Sequence, residues 1–218
     1  MNRVMARTSG SRADITGPLL RAEARRLFAR HGYAAVSMRQ IAAAVGVQAG
    51  ALYAYIPDKQ ALLYDLLDSH MQELLEAWHD DASAPPLRRL EDFVRFHIDF
   101  SLDNPDAVFL SYMELRNLTP ENHARIAALR GRYEGMLESI LRDGQAAGVM
   151  RLDDPKLAML ALIAMLTGVT NWYREGGRLD RRRIADIYWS LARGAVGAGG
   201  ADAGTGSGSA CRCRAADR

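Results

Sequence analysis

The chain has 218 residues, 49% of them hydrophobic and 25% charged, with a formal net charge of +2. That balance buries a substantial core in one or two compact units and excludes a disordered polyelectrolyte, while two cysteines are too few for a disulfide framework in the body. The small net charge conceals an asymmetry: residues 1–60 carry nine Lys or Arg against three Asp or Glu, a net +6, and the remainder carries 19 against 23, a net −4. A cationic end suits a phosphate backbone, whose neutralisation releases counterions, although a solvated basic helix accounts for the charge equally well.

Residues 1–13 hold Arg3, Arg7 and Arg12 without an apolar run, so they read as a flexible basic leader and as neither signal peptide nor membrane anchor. Leu20, Ala24, Leu27 and Phe28 then form a helical stripe that ends at His31-Gly32, with Gly32 as the cap. Met38, Ile41, Ala42 and Val45 recur at helical spacing, and Val47, Leu52 and Tyr55 continue an apolar side after a break at Gly46. A sharp corner between two short helices needs a residue that tolerates positive φ, and glycine does so at no steric cost. The spacing predicts a helix-turn-helix, closed by the first helix into a three-helix head over residues 14–58.

These positions closely resemble the TetR family of one-component bacterial repressors. Ala24, Leu27, Phe28, Gly32, Tyr33, Ser37, Ile41, Ala42, Gly46, Val47, Gly50, Leu52, Tyr53, Lys59 and Leu62 fall at that family's spacing across residues 15–63. Three positions depart from it: Gln48 where a Ser or Thr cap is usual, Ile56 for Phe, and Gln60 for Glu. The resemblance implies that Gln48, Ala49 and Gly50 open a recognition helix, with Gln48 bonding adenine or simply facing solvent. It likewise implies that Ser37 donates to phosphate or only caps its helix, that Tyr53 reaches phosphate, and that Arg39 reaches a base or a phosphate. Tyr55 lies over the backbone or supports the helix from the core, and Lys59 adds charge at the start of the next helix.

Beyond the head nearly every segment has helical spacing, and no alternating β-branched run is long enough for a strand. Asp58 caps a helix from Lys59 to about Asp81, which in the family links head to body. Further helices are expected from Leu87 to Leu102, from Asn104-Pro105 to about Arg116, and from Thr119-Pro120 to about Ala147. The last two run from Leu157 to about Arg174 and from Arg181 to about Val196. The stretch Leu157–Val169 is apolar but too short to span a bilayer.

Met159, Ile163 and Leu166 make one stripe of this final pair, Gly168 permits close helix approach, and Trp172, Tyr188 and Trp189 supply aromatics beside it. Such a stripe is ordinary core or a dimer seam; the family resemblance implies the seam and hence a homodimer reading a palindrome in successive major grooves. Residues 155–195, with Asn171-Trp172-Tyr173-Arg174 and Ile184-Ala185-Asp186-Ile187-Tyr188, also resemble regulators of fatty-acid and steroid breakdown that answer to acyl-CoA thioesters.

Candidate lining residues for an effector are Trp78, Phe93, Phe96, His97, Phe100, Phe109, Tyr112, Met113, Arg116, Tyr133 and Met136. Aromatics at helical spacing usually build core, so the case for a cavity rests on His97, Tyr112 and Arg116 among apolar neighbours. His31, His70, His79 and His123 show no metal-ligand spacing and receive no role; Arg181-Arg182-Arg183 reads as a solvated helix start or a phosphate site. Cys211 and Cys213 lie in a Gly/Ala/Ser-rich tail, residues 197–218, expected to be disordered. No nucleophile elbow, phosphate loop or metal triad is present, so an enzyme is not expected, and no cofactor either.

The expected molecule is all-α, with about nine helices: the head, then a helical ligand-binding and dimerisation domain over residues 59–196. Its expected role is a cytoplasmic, homodimeric repressor of operator DNA released by a small hydrophobic or acyl-CoA-like effector. The competing role is an all-helical protein-interaction scaffold.

Overall fold

The computed structural model describes residues 10–198; the rest of the expected leader and of the tail, including Cys211 and Cys213, lies outside them. Among the described residues every regular element is a helix: α1 (Gly10–His31), α2 (Met38–Val45), α3 (Ala49–Leu52), α4 (Lys59–Ala77), α5 (Pro86–Asp103), α6 (Pro105–Met113), α7 (Pro120–Ala146), α8 (Pro155–Thr167), α9 (Val169–Trp172) and α10 (Arg181–Ala195), with a 3₁₀ turn at Leu115–Asn117.

Local chemistry sets the boundaries. Ser37 closes a capping box: its hydroxyl oxygen accepts from the Gln40 amide at 3.3 Å while Gln40 Oε1 accepts from Ser37 N at 2.7 Å. Asp58, Thr119, Asp154 and Asp180 accept from first-turn amides of α4, α7, α8 and α10, and proline stands in the first turn of α5, α6, α7 and α8. Gly46 ends α2 at φ 75°, and the Val47 amide reaches back to Ala42 O at 3.0 Å, a Schellman closure. A Cβ at Gly46 would meet nothing within 4 Å. Gly46→Ala is therefore expected to cost backbone strain alone, about 1–2 kcal/mol in chemical denaturation; an unchanged unfolding midpoint would show that the corner relaxes out of the left-handed region.

Four boundaries differ from the sequence expectation. α1 already begins at Gly10, inside the stretch expected as leader. α4 stops at Ala77, because the following Trp78 turns into the core and meets Phe93 edge-on at 5.1 Å. α6 ends at Met113 and tightens into the 3₁₀ turn, and the helix expected from Leu157 to about Arg174 is interrupted at Gly168 between α8 and α9.

Leu20, Ala24, Phe28, Ile41, Leu52 and Ile56 form the buried centre of the head, where α1 packs on α2 and α4. In the body α5 is central, packed against α7, α8, α9 and α10 through buried Phe93, Val94 and Ile98. The buried Arg89 guanidinium holds Asp80 at 2.9 and 2.6 Å and Asp143 at 2.6 Å, tying the connection before α5 to α7. α1 also packs on α6, so head and body share one core.

Candidate DNA interface and effector cavity

α3 is a single turn behind the Gly46 corner. Gln48 precedes it in extended backbone, exposed and without a side-chain cap bond, so its amide is free to donate and accept elsewhere. Gly50 is exposed with open space where a Cβ would be, and Tyr53 and Arg39 are exposed beside it. Ala49 and Tyr55 are half-buried against the head core, which places Tyr55 as support for the helix. The Ser37 hydroxyl donates to Gln40 Oε1 at 2.9 Å, so it is engaged in its own cap.

Lys59 is less free than the sequence suggests. Its ammonium lies 4.2 Å from the Tyr33 ring centroid and 3.5 Å from Ala34 O, and burial lowers its pKa against the opposing pull of Glu114. The same corner joins head to body: Tyr33 N donates to the buried Glu114 carboxylate at 3.1 Å, and the Gln60 amide donates to Asn117 O. A glutamate at position 60, usual in the family, has no N–H to give that carbonyl.

A cavity of about 40 Å³ lies between five helices, walled by His70, Met71 and Leu74 of α4, His97, Phe100 and Ser101 of α5, Val108, Ser111 and Tyr112 of α6, Arg130, Tyr133 and Glu134 of α7, and Ile163 and Thr167 of α8. His97, Phe100, Tyr112 and Tyr133 were expected there. Trp78, Phe93 and Phe96 instead pack on one another, with centroids 5.1 and 5.2 Å from Trp78, and Met136 packs on the core. Phe109 and Met113 face an open groove of about 260 Å³ between α6 and α8–α9, and Arg116 is exposed on the 3₁₀ turn. Helical period marks the inner side of a helix, but it cannot separate side chains that touch a void from those that touch each other. His70, given no role from sequence, lines the cavity, as does Ile163, expected in the seam. Ser101, Ser111 and Thr167 were also missed; small polar residues on apolar faces were their only signal.

The cavity is polar at one end. His97 Nδ1 pairs with the Tyr133 hydroxyl and Nε2 with Thr167 Oγ1, both at 3.0 Å, and Tyr112 Oη lies 3.0 Å from Thr167 Oγ1. Burial pushes the His97 imidazole down to about 4, with His70 adding to the effect. His70 also falls to about 4, through burial and then Arg25, and its Nδ1 has no partner. Val108, Tyr112 and Thr167 line both the cavity and the groove, so the Tyr112 side chain is the partition between them.

The proposed seam needs correction too. Met159 and Leu166 are buried within the protomer, and the atoms nearest a Cβ on Gly168 are carbonyls of its own helix. The exposed face of α8 is Leu157, Leu160, Ala161 and Ala164, at the opposite side of the same rod. Leu191 is exposed on α10, and exposed Trp172 stacks on half-buried Tyr188 at 6.3 Å, with Trp189 half-buried nearby in the chain. α8 is apolar on both sides, so its period alone cannot say which side turns in.

A one-turn reading helix behind a glycine corner, joined by a long helix to a small cavity polar at one end, defines a sensor of the helix-turn-helix class. A family model described as bacterial regulatory proteins, tetR family, matches residues 20–66, and one described as the tetracyclin repressor-like C-terminal domain matches residues 83–196. The chain belongs to the TetR family of transcriptional regulators. It is 26% identical over 196 residues to the HTH-type transcriptional repressor KstR2 of Mycobacterium tuberculosis, covering 88% of this chain and 98% of that protein. Among solved structures, a bacterial regulatory protein in the tetR family from Rhodococcus RHA1 matches with a TM-score of 0.79 at 30% identity, covering 83% of this chain and 96% of that one. AibR in complex with isovaleryl coenzyme A and operator DNA matches with a TM-score of 0.74 at 26% identity, covering 81% and 97%. The chain is thus a DNA-binding regulator rather than an enzyme or a scaffold, and no described helix is long and apolar enough to cross a membrane.

Proposed function

We propose that the protein is a cytoplasmic repressor that holds a palindromic operator as a two-fold dimer and lets go when a small acyl ligand, of the acyl-coenzyme A class, enters the cavity. The path of α4 carries this reading. It starts against the head at Asp58 and Lys59 and, about three turns on, presents His70, Met71 and Leu74 to the cavity. At about 40 Å³ the cavity is far below the roughly 300 Å³ at which ligand pockets begin. A ligand must therefore push its walls apart, and α4 is one of them. Any difference in ligand affinity between the two positions of α4 becomes a difference in DNA affinity. The repressor KstR2 and AibR, with its thioester and its operator, support the same reading.

At the DNA, Gln48 and Gly50 meet the groove, Tyr53 and Arg39 meet the backbone, and Ala49, Tyr55, Ser37 and Lys59 hold the reading turn in place. The exposed face of α8 and Leu191 form the seam that sets two heads about 34 Å apart. Fluorescence anisotropy on DNA from upstream of its own gene tests this, with isovaleryl- and octanoyl-coenzyme A as titrants. Salt-dependent binding, reversed by a thioester, is expected; indifference to every upstream fragment at low salt sinks it. In the same assay Tyr53→Ala is expected to weaken binding by about 1–3 kcal/mol, and an unchanged isotherm would remove Tyr53 from the interface.

A further inference from the structure

We propose that the effector is selected through the carbonyl oxygen of an acyl ester or thioester, an uncharged acceptor that takes a hydrogen bond from the Tyr133 hydroxyl inside the cavity. This rests on the cavity being the effector site and names the chemical group it selects. Tyr112, Thr167, His97 and Tyr133 form an unbranched chain of three hydrogen bonds, each 3.0 Å long. With His97 neutral, the chain owns three hydroxyl hydrogens and one imidazole hydrogen. Three bonds consume three of the four, so one donor is surplus in either tautomer.

With the proton on Nε2, the surplus falls on Thr167 or Tyr112, and Tyr112 is 41% exposed, where water serves it. With the proton on Nδ1, His97 donates to Tyr133, and the Tyr133 hydroxyl, in a residue only 3% exposed, must find its acceptor within the cavity. A buried donor without an acceptor costs about 1–3 kcal/mol, so the free protein favours the first arrangement, and a ligand oxygen at Tyr133 admits the second, in which all four hydrogens are bonded. Displacing Tyr112 to admit the rest of a ligand removes one hydrogen and one bond together, so the surplus persists. Burial raises the Tyr133 phenol further above its usual range, which keeps it a donor.

The acceptor is uncharged for a separate reason. Both histidines of the cavity are neutral, and its two charged residues, Arg130 and Glu134, oppose each other in sign. Arg130 is already drawn to the Tyr112 ring at 4.7 Å and to Ser111 O at 3.4 Å. A free carboxylate would meet one lining charge of each sign, with no net attraction to offset its desolvation. Met71, Leu74, Phe100 and Ile163 supply the apolar wall for an acyl chain, and beyond Tyr112 the groove is lined without any charged residue.

The test is calorimetric titration of the full-length protein with isovaleryl- and octanoyl-coenzyme A and with their thioether analogues, in which a methylene replaces the carbonyl. Wild type is expected to prefer the thioester about tenfold, and Tyr133→Phe to bind the two alike. Infrared spectra of the isotope-labelled carbonyl, shifted down on wild type, provide a measure that needs no variant. Equal binding of thioester and thioether by wild type overturns the proposal, as does an unshifted carbonyl or a preference abolished by His70→Leu and kept by Tyr133→Phe. If neither thioester binds at all, the acyl-effector reading falls with it; binding without preference fells only the carbonyl proposal.

Discussion

Leu160→Asp is expected to turn the dimer into a monomer and to weaken operator binding by more than about 100-fold. Leu160 is 46% exposed at the centre of the outer face of α8, one turn from Leu157 at 65% and Ala164. In a lone protomer that side chain touches little, so an aspartate there leaves the core intact. In a seam it buries a carboxylate against an identical carboxylate from the two-fold mate, which costs several kcal/mol unless the interface opens. Each half-site then loses the second head, and the affinity gained by binding two half-sites together disappears. Sedimentation equilibrium, circular dichroism and the anisotropy assay separate the cases. A variant that stays dimeric, or a wild type that is monomeric while bound to its operator, would place the seam elsewhere.

The second large effect is on stability in acid. His70 and His97 have pKa values of about 4 in the folded protein, set by burial, against an ordinary value of 6.5. Between those values the unfolded chain binds protons that the folded chain refuses. Stability contributed by the neutral rings is therefore whole above about pH 6.5 and drains away as the pH falls toward 4. The full loss is roughly 3 kcal/mol per ring, with burial the larger cause in both and the neighbouring His70 adding to the His97 share. Urea denaturation at pH 7.5, 6.5 and 5.5 stays above the carboxylate range and should show stability rising with pH, more shallowly in His70→Leu. A flat profile in wild type, or an equal slope in the variant, would show that the rings protonate without unfolding. Acyl ligand should raise stability by the same amount at all three pH values, since the folded rings are already neutral there.

Much of this molecule was legible before any coordinates. The cap at Ser37, the corner at Gly46 and the aspartate Asp58 that opens α4 obey rules that operate within one helical turn. With the apolar periodicity around them they gave the helix-turn-helix and the long link, and the matching positions across residues 15–63 gave the family resemblance. Gln48 stood out as a poor cap, and in the structure its side chain is indeed unengaged. Other readings failed for a common reason. Trp78, Phe93 and Phe96 are aromatics at the right spacing, yet they fill space against one another and leave nothing for a ligand. Met159, Ile163 and Leu166 form a stripe that the protomer itself buries, on a helix that is apolar on both sides.

The amino-acid order alone determined the class, the head and most helix boundaries to within about a turn, because backbone hydrogen bonding, capping and the 3.6-residue period depend on neighbours a few positions away. Only tertiary structure decided where the effector cavity lies and which face of α8 remains free. His97 meets Tyr133 across 36 positions and Thr167 across 70, and His70 arrives on a fourth helix. No local period encodes that meeting, since it depends on how the helices pack around a shared core.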